Sequence, residues 1–347
     1  MNDQQQSFLP SVLAASGIRI DEQNHSVTDS SGVCMTAADN FIAPLSHYGF
    51  LQIAGADTAK FLQGQTTCDV GTVNHALSCA GAYTTPKGRM ISSFQLAQTQ
   101  ADTYLLRMHA DIVESTKAVF SKYIVFSKAE QQNASPDYIA IGLCGERAKA
   151  TIHQVFTRCP DQAHQVINHQ GNLAIQIDTA GRLYECWIKT AELATLWPLL
   201  NKGLELQGSR QWQLQLIQLG LGEVSANTVD SFIPQMLNYQ ITGAVSFTKG
   251  CYTGQEVIAR LQYKGKLKRS MYRIKVAAEK LAAGTDLYGD DKQSIGNIVN
   301  SVSLDNHHSE ALAVIASKAV DQESVVVGSD RARIQLLPLP YALNNDD

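Results

Sequence analysis

The sequence predicts an α+β protein in which two mixed helix-and-strand units precede a C-terminal β-barrel. Three observations carry this. Between residue 50 and about 127, short strands and two helices follow in β-α-β-β-α-β order, the signature of a ferredoxin-like unit. The same kind of order returns between 138 and 200, without a residue-level repeat, and beyond Met271 every apolar run reads as strand. A chain of 347 residues is also too long for one ordinary core.

Residues 1–40 are polar and weakly patterned, a mobile lead-in with one or two edge strands. A strand over 50–54 follows, and Asp57 is an N-cap for a helix over 58–63 that Gly64 ends. Strands over 80–84 and 90–96 are joined by Thr85-Pro86-Lys87-Gly88-Arg89, where proline presets φ and glycine suits the fourth turn position. Its two cations are either a solvated tip or an anion contact. After a strand over 104–108, Asp111 and Glu114 have capping-box spacing before a helix with Ile112, Val119, Phe120 and Tyr123 on its apolar face. A strand over 124–126 completes the first unit, and the polar stretch 128–137 reads as a linker.

The second unit has strands over 138–143, 173–177 and 183–188 and helices over 146–156 and 191–200. An amphipathic helix over 210–219 carries Trp212, Leu214 and Ile217, and the loop-rich segment 225–243 follows. The barrel strands fall over 286–288, 295–302, 311–316, 325–327 and 334–337, after a first strand near Tyr272.

A formal net charge of −4 argues against wholesale polyanion binding. Locally, no acid occurs between Val257 and Ala278, while Arg260, Lys264, Lys266, Lys268, Arg269, Arg273 and Lys275 are basic. This is an anion-attracting surface, the wet face of a strand, or both. The polar start lacks the pattern of a signal peptide, and no apolar run reaches the roughly 18 to 20 residues of a membrane span. Seven cysteines (Cys34, Cys68, Cys79, Cys144, Cys159, Cys186, Cys251) are scattered without a C-x-x-C pair, the pattern of a reducing compartment and of no local metal cage. A cytoplasmic protein without membrane contact is expected.

The most chemically pointed stretch is Lys249-Gly250-Cys251-Tyr252-Thr253-Gly254-Gln255-Glu256. The apolar run 244–247 before it and Val257, Ile258 and Leu261 after it make it a strand-to-helix turn. Thr253 and Glu256 have the spacing of a capping box, which sets Cys251 two residues before the cap, at the positive end of the helix. With the Lys249 ammonium nearby, that field favours thiolate, and Gly250 and Gly254 let a partner approach the sulfur. An accessible, activated cysteine is expected; the alternative is an inert, buried one.

This motif resembles the hallmark of the YgfZ family, folate-binding proteins within the superfamily of the glycine-cleavage T-protein. The match extends to Ile53-Ala54-Gly55-Ala56-Asp57, Phe61-Leu62-Gln63-Gly64-Gln65 with Thr67 and Asp69, and Lys87-Gly88-Arg89. It continues through Lys122-Tyr123, Val125-Phe126-Ser127-Lys128, Phe232-Ile233-Pro234-Gln235 with Asn238, and Leu337-Pro338-Leu339-Pro340-Tyr341. The resemblance covers about residue 45 onward. It implies a three-domain ring like that of the T-protein: a variable lead-in (1–40), a folate-binding α+β domain (41–130 with 205–262), a second α+β domain (131–204) and the barrel (263–347). It further implies tetrahydrofolate in a central cavity, lined by Tyr48, where close relatives have tryptophan, and by Trp212. The family supports iron–sulfur enzymes, among them those that thiolate tRNA, and the hallmark cysteine it needs corresponds to Cys251.

Two departures from the T-proteins bear on chemistry. Their pterin-holding glutamate is matched by Gln218, which offers a neutral amide. Their catalytic aspartate is matched by the stretch Ile91-Ser92-Ser93, and a serine without a base is a poor proton-transfer group. The expectation is a folate-binding accessory factor, monomeric, with iron–sulfur enzymes as partners. The rivals are a folate-dependent aminomethyl-type transferase and a cysteine hydrolase, the latter needing a histidine beside Cys251.

Overall fold

The computed structural model describes residues 8–21, 25–27, 39–289, 293–321, 325–328 and 331–343. The polar tail 1–6 and Cys34 lie outside them. The chain enters through helix α1 (Phe8–Ala15) and a ribbon of β1 (Arg19–Ile20) and β2 (Ser26–Val27). Part of the expected mobile lead-in is thus packed: Leu13 and Ile18 are 1% and 2% exposed and belong to the core of the second unit. They are apolar anchors in an otherwise polar stretch.

The first unit follows β3 (Phe41–Pro44), with β4 (Tyr48–Ala54), α2 (Thr58–Gln65), β5 (Cys79–Thr84), β6 (Met90–Gln100), β7 (Thr103–His109), α3 (Val113–Ile124) and β8 (Glu130–Asn133). Its sheet runs β5-β6-β7-β4-β8, a ferredoxin-like order with β5 added at one edge. Two expectations need correction here. The strand over 124–126 is the end of α3, where Val125 and Phe126 are 71% and 87% exposed. The fourth strand is β8, inside the stretch read as a linker. Among the described residues it pairs with β4 alone, so backbone hydrogen bonds hold it and its polar side chains carry no apolar alternation.

The second unit contains β9 (Tyr138–Cys144), α4 (Glu146–Phe156), β10 (Val166–His169), β11 (Asn172–Gln176), β12 (Leu183–Lys189), α5 (Leu193–Leu200) and β13 (Glu205–Leu206). Its sheet runs β10-β11-β12-β9-β3-β13, so the early strand β3 is inserted beside β9, and β13 lies parallel to it. Helices α6 (Ser209–Gln218), α7 (Tyr239–Thr242) and α8 (Gln255–Lys264) lead into a closed barrel of β14 (Arg269–Val276), β15 (Asp286–Tyr288), β16 (Ser294–Ser303), β17 (Ser309–Ala316), β18 (Val326–Val327) and β19 (Ala332–Leu337). One short helix, α9 (Ser317–Asp321), interrupts the expected run of strands.

Strand parity sets where the two sheets meet. In β4, Leu51 and Ile53 face the first unit's core with Phe61 and Phe120, while Tyr48 and Phe50 face the second sheet. Phe50 meets Trp187 of β12 edge-on, ring centroids 5.4 Å apart. The same alternation puts Arg107 of β7 and Glu185 of β12 on these facing inner surfaces.

Candidate functional site

The hallmark segment is a loop pinned along the residues that follow α2. Ser246 N donates to Thr67 O at 2.9 Å, Thr67 Oγ1 donates to Ala244 O at 2.7 Å, and Thr253 Oγ1 reaches Gln65 Oε1 at 3.4 Å. Lys249 is 8% exposed, and its Nζ donates to Thr66 O at 2.8 Å and Cys68 O at 2.6 Å, 5.2 Å from the centre of the Tyr252 ring. Burial pulls the Lys249 pKa below the ordinary range.

Between these anchors Cys251 is exposed, beside Gly250, where an added Cβ would meet nothing within 4 Å. Tyr252 is buried, and Gln255 is half-buried at the head of α8. Gly254 has φ +84°, and a Cβ there would lie 2.4 Å from Thr84 Oγ1 and 2.5 Å from Thr85 O. Only glycine lets the loop press so closely on the hairpin that carries Lys87-Gly88-Arg89.

The helical entry differs from expectation. The N-cap of α8 is Gly254, no side chain caps it, and Glu256 is exposed, so Thr253 and Glu256 form no capping box. Residues 244–247 form no strand, so the approach is a loop. Thr253 is instead held through its carbonyl, which accepts from Thr84 Oγ1 at 2.6 Å. Asp57 does stand at the N-cap position of α2, but neither its side chain nor that of Asp111 bonds the helix end. Asp57 Oδ2 accepts from Lys128 N at 2.8 Å, and Asp111 Oδ2 from Ala226 N at 3.1 Å.

Several other residues of the resemblance are fasteners. Gln63 bonds Asp69 and the amide of Val70, Arg89 donates to Ser231 O, and Gln235 donates to Ile258 O. Tyr341 donates to Gly220 O at 2.7 Å and accepts from Asn238 Nδ2 at 3.3 Å, tying the end of the chain to the turn after α6.

A second cluster lies where the two sheets and the segment after α6 meet. Arg107 donates through Nε and Nη2 to Glu185 at 2.8 and 2.9 Å and through Nη1 to Glu223 at 2.5 Å. Tyr48 Oη donates to the other oxygen of Glu223 at 2.5 Å, and His109 Nε2 lies 4.0 Å from it. Trp187 Nε1 donates to Glu185, and Glu223 N donates to Asn300 Oδ1 of the barrel at 2.8 Å. The two sheets and the segment after α6 thus share one ion network, which the barrel meets through the backbone of Glu223.

Burial pushes the Glu223 carboxyl up, but Arg107, His109 and the hydrogen bonds from Tyr48 and Arg107 outweigh it and hold it below the ordinary range. Deeper in, burial of Glu185 outweighs Arg107 and raises its pKa.

Tyr48 is covered by the Arg107 guanidinium, 3.9 Å from the ring centre, and by His47, whose ring lies 4.0 Å away. His47 also touches His25 and His109, at 5.0 and 5.5 Å. Both ring nitrogens of buried His47 lack a hydrogen-bond partner among the described residues, as does Trp212 Nε1. Trp212 is 0% exposed, its indole is packed so closely on Gly142 that a Cβ there would lie 2.3 Å from the ring, and it shares a packed cluster with Tyr48. Gln218 is half-buried at the end of α6. Ser93 Oγ accepts from Val224 N at 2.8 Å, and Ser92 Oγ is buried without a partner among the described residues.

These unpartnered buried nitrogens fit a flat ligand with hydrogen-bonding groups on its edge, as a pterin has. Sequence reasoning missed Arg107, Glu185, Glu223, His47, His109 and His25. A signal existed for two of them: Arg107 and Glu185 are single charges inside apolar strand runs, and such charges are buried only when paired. The tract of lysines and arginines is exposed at Arg260, Lys264, Lys266 and Lys268, whereas Arg273 is paired with Glu310 at 2.6 Å.

The fold and this three-part junction define a protein of the aminomethyltransferase T fold. Glycine cleavage system aminomethyltransferase T from Bartonella henselae matches with a TM-score of 0.75 over 96% of this chain and 97% of that one, at 14% identity. No protein-family model matches the chain. Curated tRNA-modifying proteins YgfZ do: that of Klebsiella pneumoniae (strain 342) is 30% identical over 309 residues, 87% of this chain and 93% of that one. That of Escherichia coli O127:H6 is 29% identical over 306 residues, 86% and 92%. The chain belongs to the YgfZ family. No described helix is long and apolar enough to cross a membrane.

Proposed function

We propose that the protein is a tetrahydrofolate-binding accessory factor that serves tRNA modification by supporting iron–sulfur enzymes, with Cys251 as its working thiol. The observation that carries this reading is the exposure of Cys251 on a loop whose neighbours Lys249 and Thr253 are both fastened to the first unit. A thiol so presented, beside the open space at Gly250, meets a protein or small-molecule partner without any unfolding. The family membership supports the link to tRNA modification.

Folate is assigned to the junction. Tyr48, Trp212 and Gln218 would line it, with the unpartnered nitrogens of His47 and Trp212 turned to the pterin edge. When bound, tetrahydrofolate supplies a reducing pterin and one-carbon carriage. The chain itself contributes the charged wall of Arg107 and Glu223 and the exclusion of water by the facing sheets. No carboxylate occupies the Ile91-Ser92-Ser93 stretch, and Ser93 is already bound to Val224 N, which disfavours aminomethyl transfer. The exposed cations Arg260 and Lys264 of α8, with Lys266 and Lys268 just beyond it, suit an acidic partner surface.

The reading is tested in a deletion strain carrying Cys251→Ser at wild-type abundance. Loss of tRNA thiolation and of iron–sulfur enzyme activity is expected. Wild-type levels of both would remove the thiol from the account.

A further inference from the structure

Exposed apolar side chains are concentrated on two elements. Among the described residues, five of the eight large apolar side chains that stand exposed belong to the end of α3 (Tyr123, Val125, Phe126) and to α8 (Val257, Tyr263). Phe126 and Val125 are the two most exposed of all, and they are adjacent in the chain. The turn that carries them is held at both ends. Ile124 is buried in the first unit's core, and Ser127 N donates to its carbonyl at 2.9 Å. Lys128 N donates to Asp57 Oδ2 at 2.8 Å, and Lys128 O accepts from Asp57 N at 3.2 Å, which clasps the turn to the head of α2. Gly55, with φ +134°, makes room for the clasp, since a Cβ there would lie 2.3 Å from Lys128 O. A phenyl ring and an isopropyl group held in water by a turn that cannot fold them away mark an interaction site.

The surroundings specify what covers them. Lys122 and Lys128 flank the pair and are exposed, as is Lys60, one turn into the clasped helix. No acid occurs between Glu114 and Glu130, and the nearby Asp57 is engaged by Lys128. A phenylalanine anchor with a cationic rim fits an apolar socket rimmed by carboxylates on another protein. A bilayer fits less well, because Val113, Phe120 and Ile124 are spent in the core and leave α3 no apolar face to lie in an interface. RNA fits less well too, since bases stack on flat groups and Val125 offers none.

The turn is also near Cys251. It is fastened to the first end of α2, and the hallmark loop to the other, through Thr253 Oγ1 on Gln65 and Lys249 Nζ on Thr66 O. The helix between them has eight residues. At 1.5 Å per residue the two attachments are about 12 Å apart, and a partner footprint of about 800 Å², roughly 30 Å across, spans that distance.

We propose that the turn carrying Tyr123, Val125 and Phe126 is the docking anchor for an acidic protein partner, seated so that its reactive group meets Cys251. That this partner is an enzyme served by the thiol rests on the function proposed above; the docking itself does not.

The test uses the deletion strain with wild type, Cys251→Ser, Phe126→Ser, Lys122→Glu with Lys128→Glu, and the control Lys202→Glu, an exposed lysine of the second unit, each at graded expression. Tyr123 and Val125 stay in place throughout. Phe126→Ser and the double lysine variant are expected to need about thirtyfold more protein than wild type to restore half of the tRNA thiolation, the ratio for a hot-spot anchor. Lys202→Glu is expected to match wild type. Because the ring is exposed, purified Phe126→Ser should keep the wild-type urea midpoint and Cys251 alkylation rate; if it does not, the lysine variant carries the test. Wild-type dose dependence of both variants, where Cys251→Ser fails, would overturn the docking site and leave the working thiol intact. Wild-type thiolation by Cys251→Ser would remove the thiol instead, with the docking site still judged on Phe126. Self-association in sedimentation, or binding to phosphatidylglycerol vesicles or bulk tRNA, that is lost in Phe126→Ser would also overturn the proposal, by putting a second copy, a membrane or RNA in the partner's place.

Discussion

At the scale of single residues, the two glycines of the hallmark loop do different work. Gly254 is required by its positive φ and by contact with Thr84 and Thr85. Gly254→Ala is therefore expected to destabilise by at least about 1–2 kcal/mol, from the left-handed backbone alone, measured by denaturant unfolding. Gly250 faces open space, so Gly250→Ala should leave stability within about 0.5 kcal/mol. If that variant nonetheless fails to restore tRNA thiolation, the space is used by a partner. Arg107 is the opposite case, a buried cation held by two carboxylates. Removing one member of such a network strands the others, and Arg107→Met is expected to cost about 3–5 kcal/mol. A loss below about 1 kcal/mol in urea unfolding would mean that water reaches the cluster freely.

At the scale of elements, the sequence disclosed whatever carried a period. Helices α4 and α6 were legible because one face of each is apolar, and strands β9 and β12 because both of their faces are buried and read as short, nearly continuous apolar runs. Strand β8 was not, since an edge strand is held by backbone bonds that leave no side-chain pattern. The capping boxes failed for a related reason. Spacing shows that a threonine and a glutamate could reach the helix end, but tertiary contacts took Thr253, Asp57 and Asp111 elsewhere. Helix α8 begins instead at a glycine, so Glu256→Ala is expected to change stability by less than about 0.5 kcal/mol, where a working cap would cost about 1. Among the site residues, the exposed thiol could be found because its signature is contiguous. The junction network could not, because Tyr48, Arg107, Glu185 and Glu223 are assembled from four separate segments.

At the scale of the whole molecule, the junction holds three histidines among opposing charges, and it makes the fold sensitive to acid. Burial, then Arg210 and to a lesser degree His109, outweigh the opposing pull of Asp21 and push the His25 pKa down to about 4. Burial, then His25, His109 and Arg107, holds His47 well below its ordinary value of 6.5. In the unfolded chain both rings take up protons below about pH 6.5, while the folded protein keeps them neutral. The unfolded state then binds more protons, so stability is whole above pH 6.5 and falls as pH drops toward 4. Urea midpoints at pH 7.5, 6 and 5 should decrease in that order, and His47→Phe should flatten the decrease. An unchanged slope in the variant would mean that other groups carry it.

The unpartnered buried nitrogens are also where the proposed folate site is probed most directly. The most direct measurement is a calorimetric titration of tetrahydrofolate into wild type, Cys251→Ser and Trp212→Phe, the last keeping an aromatic core residue but removing the indole N–H. The account predicts that wild type and Cys251→Ser bind alike and that Trp212→Phe binds severalfold more weakly, a loss of about 1 kcal/mol. No binding by the wild type, or equal affinity in all three, would contradict it.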